Sequence, residues 1–206
     1  MTKKINIISP FGPKLAKIKL SGRIINVINK EVERIILNEK NFKKKDYSKK
    51  LVGEVYQEIE FSKNFINKYL KKFIKSKVKN YLKNTINKKT NKINIKNFWV
   101  VRQFKNEYNP VHYHDGNISG VGYLKIPKNL NFSKKKKKTN GTIDFINGSR
   151  MFLNKSIYNH VPEVGDLILF PNYLMHTAYP FIVDGERRSF SFNIELDKKI
   201  SEVFDD

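Results

Sequence analysis

The sequence predicts an α+β fold, in which helices from the first half of the chain pack on one sheet of a C-terminal antiparallel β-sandwich or barrel. Two observations predict it. Apolar residues recur at helical spacing in two early segments, and short apolar runs alternate with Gly-, Pro- and Asn-containing turns from about residue 95 onward. A chain of 206 residues suits one domain. We therefore predict a single domain over 1–206, mainly helical over 1–94 and with a β core over 95–197.

Two helices are predicted in the first half. Residues 1–22 alternate apolar and polar side chains and are interrupted by prolines, which predicts an extended segment. The stretches 23–37 and 63–86 each place apolar residues on one helical face. The face of the second helix contains Phe65, Tyr69, Leu70, Phe73, Ile74, Val78 and Leu82. Between the helices, the Lys- and Asn-rich stretch 39–50 is predicted to be a loop, and 51–62 a weak extended or turn segment.

Six strands are predicted in the second half. Their sequences are INIKNFWVVRQF, ISGVGYLKIP, GTIDFI, GDLILFP, LMHTAYPFIV and RRSFSFNIEL. Short strands at regular spacing, separated by turn residues, are typical of an antiparallel sandwich or barrel. The stretch 131–141 lies between two of these strands and contains five consecutive lysines, which predicts a solvated hairpin loop.

The composition excludes several kinds of site. The chain has no Cys, so disulfides, thiolate metal sites and Cys nucleophiles are excluded, and a transition-metal site must use imidazole and oxygen ligands. The net charge of +22 suggests nucleic-acid binding, but only six of the 41 basic residues are Arg and the other 35 are Lys. Abundant Lys, Asn and Ile indicate A+T-rich codons, and proteins that read bases rely on Arg forks. We expect only non-specific polyanion binding at low salt.

The N-terminal stretch MTKKINIISPFGPK is not typical of a signal peptide. Its apolar run is four residues long and ends at Pro10, whereas a signal peptide needs a longer apolar core. No window of the sequence approaches the length of a membrane span. We therefore expect a cytoplasmic protein with no membrane partner.

Three of the four histidines are candidate ligands of one metal ion. His112 and His114, in VHYHDG, are two residues apart, so their imidazoles would lie on the same face of a strand. Alone, such a pair is more often a chance pair on a half-buried strand. His176, about sixty residues later in GDLILFPNYLMH, is the third candidate. His160 precedes Pro162 in a predicted loop, and we interpret it as structural.

The last predicted strand has one polar and one mostly apolar face. Arg187, Ser189, Ser191 and Asn193 alternate with Arg188, Phe190, Phe192 and Ile194. If the apolar face packs against the helices, the polar face looks into the barrel. An Arg in that interior needs an anion, because burying an unpaired charge is costly. A small-molecule carboxylate would supply one.

Together these blocks resemble the Fe(II)- and 2-oxoglutarate-dependent dioxygenases, and most closely a group of 2OG-Fe(II) oxygenases found in marine bacteria and phages. The blocks are His-x-His followed by SGVGYL, then GDLILFPNYLMH, then ERRSFSFN. The resemblance is strong over residues 95–195 and faint over 10–60, and only the combination is specific. It implies a double-stranded β-helix (jelly-roll, cupin-like) core. It also implies an oxidoreductase that hydroxylates a substrate and releases succinate and CO2.

The resemblance implies that His112, His114 and His176 bind one face of Fe(II), which leaves positions for 2-oxoglutarate and O2. The common pattern of the superfamily has Asp or Glu at the position of His114. Asp115 is the alternative carboxylate ligand, if the chain turns there, and Asp144 is another candidate. We prefer His114.

The resemblance also assigns the cosubstrate site. Arg187 matches the arginine that pairs with the far carboxylate of 2-oxoglutarate, for which a guanidinium fork has suitable geometry. Ser189 adds a hydrogen bond, and Tyr123 is a candidate donor to the same carboxylate. The metal centre is the catalytic group, and no side-chain acid or base is assigned. Arg188 and Arg102 are each either surface residues or substrate contacts.

Two alternative functions stay open at this point. A cupin-type metalloenzyme with three histidines and no 2-oxoglutarate would fit the stretch 165–176, but it would have no need of an inward-facing Arg187. A non-catalytic, basic β-sandwich binding protein would have no need of three histidines in apolar surroundings.

Overall fold

A computed structural model describes residues 12–133 and 139–202, and in these ranges it contains ten strands and five α-helices. The strands are β1 Ala16–Lys19, β2 Glu58–Glu60, β3 Ile93–Gln103, β4 Asn109–His112, β5 Ile118–Lys125, β6 Ile143–Ile146, β7 Ile157–His160, β8 Asp166–Pro171, β9 Met175–Ala178 and β10 Arg187–Leu196. The helices are α1 Gly22–Ile36, α2 Glu39–Lys45, α3 Lys63–Phe65, α4 Lys71–Ile86 and α5 Lys198–Ser201. A 3₁₀ turn spans Ser48–Lys50, and a π-helical segment, Ile66–Leu70, joins α3 to α4.

The strands form two antiparallel sheets. The larger has the order β1-β8-β5-β10-β3-β2, and the smaller has the order β4-β9-β6-β7. Strands β1 and β2, which come from the mainly helical half of the chain, form the two edges of the larger sheet. The predicted α+β architecture is confirmed.

The outer face of the larger sheet carries the helices. Phe190 and Phe192 of β10 lie in one apolar core with side chains of α1 and α4. Gly120 and Gly122 of β5 make room for these rings, because a Cβ would lie 2.4 Å from the Phe192 ring at Gly120 and 2.3 Å from the Phe190 ring at Gly122. The glycines of SGVGYL therefore allow aromatic rings to lie across the strand.

The helix predicted over 63–86 is present, but the π-helical segment changes which side chains it buries. Ile66 and Leu70 are buried within this segment, whereas Tyr69 is 45% exposed. From Ile66 onward the buried positions recur every fourth residue, through Ile74, Val78 and Leu82. The prediction that Tyr69 lies on the buried face was therefore wrong. An added residue in a helical turn rotates the residues before it relative to those after it.

The prediction of a loop over 39–50 was also wrong. Helix α2 begins after Asn38, whose side chain accepts a hydrogen bond from the Asn41 backbone N–H at 3.0 Å. An ion pair joins Lys43 Nζ to Glu39 Oε1 at 2.7 Å, one helical turn apart. Capping, this pair and three lysines in the last turn, near the negative end of the helix dipole, stabilise a short helix that composition alone did not indicate.

The strand β7 was missed by the sequence prediction, because it ends at His160, which was predicted to lie in a loop. Strand β4 ends at His112, so His114, which was expected on the same strand, lies just beyond it. His160 is buried, with Nε2 3.1 Å from Asp166 Oδ2, and its place away from the other histidines agrees with a structural role. Of the lysine run in 131–141, residues 134–138 lie outside the described residues. Within the described ranges, the helices are too short or too polar to cross a bilayer.

Candidate metal centre and cosubstrate pocket

The structure brings His112, His114 and His176 together. One ring nitrogen of each lies within 4.8 Å of the others, and His114 Nε2 is 3.0 Å from His176 Nε2. Strand pairing places His112 opposite His176. His114 lies just beyond β4, where its backbone N–H donates to the carbonyl of Asn172 at 3.0 Å. Two neighbouring strands and the turn after one of them thus hold the three imidazoles.

The second nitrogen of each ring indicates what the cluster is suited to bind. The Nδ1 atoms contact Pro110 O at 2.7 Å (His112), Asn193 Oδ1 at 3.0 Å (His114) and Leu174 O at 3.0 Å (His176). Because these oxygens only accept, each Nδ1 carries the hydrogen and each Nε2 presents a lone pair. Clustered lone pairs repel one another unless a cation lies among them. Hydrogen bonds of this kind orient the imidazoles of metal sites.

The three imidazoles are held in the neutral form that binds metals. Burial lowers the pKa of His112. Burial, followed by the charge of His112, lowers the pKa of His114 to about 4. Burial and the two neighbouring histidines lower the pKa of His176 well below its usual value. Neutral imidazole is the metal-binding form, so the cluster needs no deprotonation to bind a metal ion at pH 7.

Two residues that the sequence did not assign to the metal site hold His114 in place. Asn193 Oδ1, which contacts the His114 ring, also accepts a hydrogen bond from the buried Ser119 hydroxyl at 2.9 Å. The ring of Trp99 stacks on His114 with 5.6 Å between centroids. The inward position of Asn193 follows from the polar alternation of its strand. No sequence pattern indicated the contact with Trp99.

The candidate carboxylate ligands lie apart from the histidine cluster. The side chain of Asp115 is exposed to solvent, although it lies at the border of the same cavity. Asp144 is buried and its carboxylate accepts hydrogen bonds from Asn159 Nδ2 at 2.6 Å and from the Tyr179 hydroxyl at 2.9 Å. The group of potential ligands within the described residues consists of the three histidines alone.

Arg187 lies in the same cavity, which has a volume of about 270 Å³. Its side chain is buried, and its guanidinium donates to the Gly141 carbonyl at 2.7 Å and to Gln103 Oε1. Both acceptors are neutral, and the Nε–H has no partner among the described residues. No carboxylate of the described chain lies within ion-pair distance of Arg187. The site therefore holds a buried positive charge that is not neutralised by the protein.

Tyr123 and Ser189 lie beside Arg187 on the inner face of the larger sheet. They are paired across β5 and β10, so their side chains share a face, and both line the cavity. Burial raises the pKa of Tyr123 to about 12, although the nearby charge of Arg187 acts in the opposite direction. The Tyr123 hydroxyl is therefore protonated at pH 7 and able to donate a hydrogen bond. All three residues assigned to the cosubstrate are thus neighbours.

Arg102 and Arg188, to which the sequence assigned no role, pair with acidic side chains of the protein. Arg102 donates to Glu186 Oε1 at 2.7 Å, and Arg188 donates to both oxygens of Glu186 at 2.7 and 2.9 Å. Burial alone would raise the pKa of Glu186, but the hydrogen bonds from Arg188 and Arg102 lower it to about 2. Arg188 also pairs with Glu33 of α1 at 2.8 Å. These contacts tie helix α1 to the sheet and lie outside the cavity.

Glu58 is a further charged residue of the cavity that the sequence did not indicate. Its side chain is 1% exposed, and its Oε2 has no hydrogen-bond partner among the described residues. Burial, followed by the negative charges of Asp46 and Glu107, raises the pKa of Glu58 to about 8. In the sequence it appears as one acid in GEVYQEIEF, a segment without a distinctive pattern.

Ionisation of Glu58 is expected to make the fold less stable as pH rises. The unfolded chain loses this proton near the ordinary Glu pKa, whereas the folded chain retains it up to about pH 8. The free energy of unfolding should therefore fall between about pH 4.5 and 8, and Glu58→Gln should remove this decline. At pH 9 the variant should be more stable than the wild type by about 2–4 kcal/mol.

Urea unfolding at pH 4, 7 and 9 checks this prediction. Glu60→Gln is the matched control, because Glu60 lies on the same strand and is exposed to solvent. A constant difference between Glu58→Gln and wild type at all three pH values would contradict the prediction.

This chain matches one family model and resembles several solved structures in fold. Residues 97–193 match the family model described as "Putative 2OG-Fe(II) oxygenase". No curated protein matches the sequence. A Pseudomonas putida prolyl-4-hydroxylase has a similar structure, with a TM-score of 0.58 and 11% identity, covering 89% of this chain and 92% of that chain.

Two further solved structures are similar. The viral collagen prolyl hydroxylase of Paramecium bursaria Chlorella virus-1, in complex with 2-oxoglutarate, has a TM-score of 0.54 and 19% identity, covering 87% of this chain and 94% of that chain. HygX from Streptomyces hygroscopicus, with nickel and 2-oxoglutarate bound, has a TM-score of 0.57 and 10% identity, covering 88% of this chain and 81% of that chain.

These similarities confirm the predicted jelly-roll core with N-terminal helices packed on one sheet. At these identities the solved structures establish the fold alone. The family match over the β core supports an oxidoreductase enzyme. The predicted cofactors, Fe(II) and 2-oxoglutarate, are confirmed by this match together with a three-histidine cluster able to hold a metal ion.

Proposed function

We propose that this protein is an Fe(II)- and 2-oxoglutarate-dependent oxygenase that hydroxylates its substrate and releases succinate and CO2. One observation carries the proposal: a buried arginine, with no carboxylate partner among the described residues, lies in the same cavity as three converging imidazoles. This pair of features suits a ligand that has a carboxylate at one end and a metal-chelating group at the other. 2-Oxoglutarate has both.

The donor set fits the metal. His112, His114 and His176 would hold Fe(II) through their Nε2 atoms, with the Nδ1 hydrogen bonds fixing the ring orientations. Imidazole ligands suit iron, and three of them on one side leave positions for other ligands. Bound iron supplies, with 2-oxoglutarate and O2, the oxidising chemistry that converts the cosubstrate to succinate and CO2 and hydroxylates a substrate carbon.

The remaining cavity residues bind and orient the cosubstrate. Arg187 receives the far carboxylate of 2-oxoglutarate through its unpaired Nε–H and its free donor positions. Ser189 and the protonated Tyr123 hydroxyl donate to the same group. Because this carboxylate pairs with a buried guanidinium, it neutralises a charge that is otherwise costly to bury.

The two alternative functions are less well supported. A cupin-type metalloenzyme with three histidines would have no use for the unpaired charge of Arg187 beside the metal centre. A basic β-sandwich that only binds partners would have no use for three clustered lone pairs inside a cavity. The wholly neutral set of ligands remains a departure from the common pattern of two histidines and one carboxylate.

We also propose that residues 1–206 act as one domain, with 1–94 as an elaboration of the β core at 95–197. Two features support this organisation. Strands β1 and β2 of the first segment are the edges of the larger sheet. Arg188 of the core is paired with Glu33 of α1.

Turnover of 2-oxoglutarate without a primary substrate tests the proposed function. The purified protein, reconstituted with Fe(II), should consume O2 and produce succinate slowly, and chelation of iron should stop both. Succinate is measured by mass spectrometry and O2 by an electrode. Absence of 2-oxoglutarate binding to the Fe(II) protein under anaerobic conditions would falsify the proposal.

Asp115→Asn tests which residue completes the metal site. Because Asp115 is exposed and outside the histidine cluster, the variant should bind Fe(II) with an affinity within about threefold of wild type. His114→Ala should lower that affinity by more than about 100-fold. Calorimetric titration of both variants under anaerobic conditions measures the difference. The opposite ranking would assign the third ligand to Asp115.

A further inference from the structure

Three polar side chains in the cavity have acceptor atoms that the protein does not use. Glu58 Oε2, Asn97 Oδ1 and Asn109 Oδ1 are buried and have no hydrogen-bond partner among the described residues. All three residues line the cavity that contains the histidine cluster. Buried acceptors without partners are costly, and a ligand that donates hydrogen bonds would satisfy them. Neither iron nor 2-oxoglutarate is such a ligand.

Glu58 and Asn109 lie on strands next to the metal centre. Glu58 is paired with Val101 across β2 and β3, and two residues further along β3 the ring of Trp99 stacks on His114. Asn109 is on β4, three residues before His112.

The connection before β2 closes this side of the cavity. A β-bridge joins Glu54 to Tyr108, next to Asn109. Gly53 is so close to Asn109 that a Cβ there would lie 2.1 Å from its Oδ1. Gly53 and Glu58 thus line the cavity on the side next to the start of β4.

Glu58 is separate from the 2-oxoglutarate site. Strand β3 lies between β2, which carries Glu58, and β10, which carries Arg187. Two strand spacings correspond to about 10 Å. A ligand held at Glu58 and a carboxylate held at Arg187 can therefore occupy the cavity together.

The charges around Glu58 favour a cation. The carboxylates of Asp46 and Glu107 act on Glu58 with the same negative sign, and Glu58 has no ion pair among the described residues. A neutral donor would satisfy the hydrogen bonds, but a cation would also stabilise the ionised form of Glu58, which burial and the charges of Asp46 and Glu107 disfavour.

We propose that the primary substrate carries a protonated nitrogen, as an amine or a guanidinium, which Glu58 binds as an ion pair while the amide oxygen of Asn109 accepts another of its N–H bonds. The carbon to be hydroxylated then lies between this group and the metal centre. This inference rests on the proposed function, because it names the class of substrate that the oxygenase would hydroxylate at the metal centre.

Binding of n-butylammonium, with n-butanol as its neutral analogue, tests the inference. Trp99 is the single tryptophan of the chain and lines the cavity, so its fluorescence reports on ligands that enter. The full-length protein is loaded with Zn(II) and 2-oxoglutarate, which prevents turnover, and is titrated at pH 7. We expect n-butylammonium to bind at least tenfold more tightly than n-butanol, and Glu58→Gln to remove this preference. Glu60→Gln removes the same charge from an exposed position of β2 and should keep it.

The outcomes separate this inference from the proposed function. Equal binding of the two ligands by wild type, or an unchanged preference in Glu58→Gln, would overturn the inference even if the protein turns over 2-oxoglutarate. A Glu58-dependent preference in a protein without 2-oxoglutarate turnover would keep the cation site and reject the oxygenase. Tighter binding of N-acetyl-lysine amide than of n-butylammonium would indicate that the substrate is a peptide with a basic side chain. Tighter binding of n-butylammonium would indicate a small amine. Either result supports the cation site at Glu58.

Infrared spectroscopy of the wild-type protein tests the same ion pair without the Glu58→Gln variant, in case that variant does not fold. At pH 7 the infrared carboxyl band of a protonated buried acid should convert to a carboxylate band when n-butylammonium saturates the site. An unchanged acid band at saturation would overturn the ion pair.

Discussion

Replacing His176 by alanine is expected to abolish tight metal binding, with a loss of more than about 100-fold in Fe(II) affinity. The change removes one of three clustered nitrogens and leaves two, which cannot define one face of the metal. Loss of a hydrogen bond that merely orients a ligand already costs about 10–100-fold, so loss of the ligand itself should cost more. Anaerobic calorimetry with Fe(II), or an absorbance titration with Co(II), measures the effect. Turnover of 2-oxoglutarate should be lost in parallel.

His160→Gln is the matched control for this experiment. His160 is also a buried histidine on the smaller sheet, but its partner is Asp166 and it lies outside the cluster. Its replacement should leave metal affinity within about threefold of wild type. Equal metal affinity in His176→Ala and wild type would reject the three-histidine centre.

Arg187→Ala is expected to weaken 2-oxoglutarate binding by about 100-fold or more while changing metal affinity little. Two hydrogen bonds to a charged group contribute about 1.5–3 kcal/mol each, and a tenfold change in Kd corresponds to about 1.4 kcal/mol. The side chain contacts Gly141 and Gln103 rather than a histidine, so the metal ligands keep their positions. Anaerobic titration of the Fe(II) protein with 2-oxoglutarate, followed by absorbance, gives the affinity.

Two further variants define the role of the guanidinium. Arg150→Ala removes a positive charge from an exposed position and should leave 2-oxoglutarate affinity unchanged. Arg187→Lys keeps the charge but loses the fork, so its affinity should lie between those of wild type and Arg187→Ala. A parallel loss of metal and 2-oxoglutarate binding in Arg187→Ala would show that the residue supports the fold rather than the cosubstrate.

Patterns within single strands and helices were sufficient to predict the inward faces of the β core. The alternation of Arg187, Ser189 and Asn193 with apolar residues is a local property, because the side chains of a strand point to opposite faces in turn. The apolar residues of that strand do lie in the core with the helices, and the polar ones line the cavity. The same reasoning placed helix α1.

Local patterns failed where the outcome depended on a few specific contacts. Helix α2 depends on the helix cap at Asn38 and on the ion pair of Glu39 with Lys43. The Lys- and Asn-rich composition of this stretch predicted a loop instead. The π-helical segment moves Tyr69 out of the core because one of its turns contains an additional residue. The spacing of apolar residues in the sequence did not indicate this additional residue.

The sequence by itself determined the class of the fold, the absence of thiolate chemistry and the residues that were candidates for the metal and the cosubstrate. Periodicity and residue type encode these features, and both are local. Only the tertiary structure decided that the three imidazoles of His112, His114 and His176 converge while the side chain of Asp115 faces solvent. It also decided that Glu58 lines the same cavity, with its Oε2 buried and without a hydrogen-bond partner among the described residues. The reason is physical. Burial, charge and hydrogen bonding at a site depend on which distant segments come into contact there, and the spacing of residues along the chain does not show these contacts.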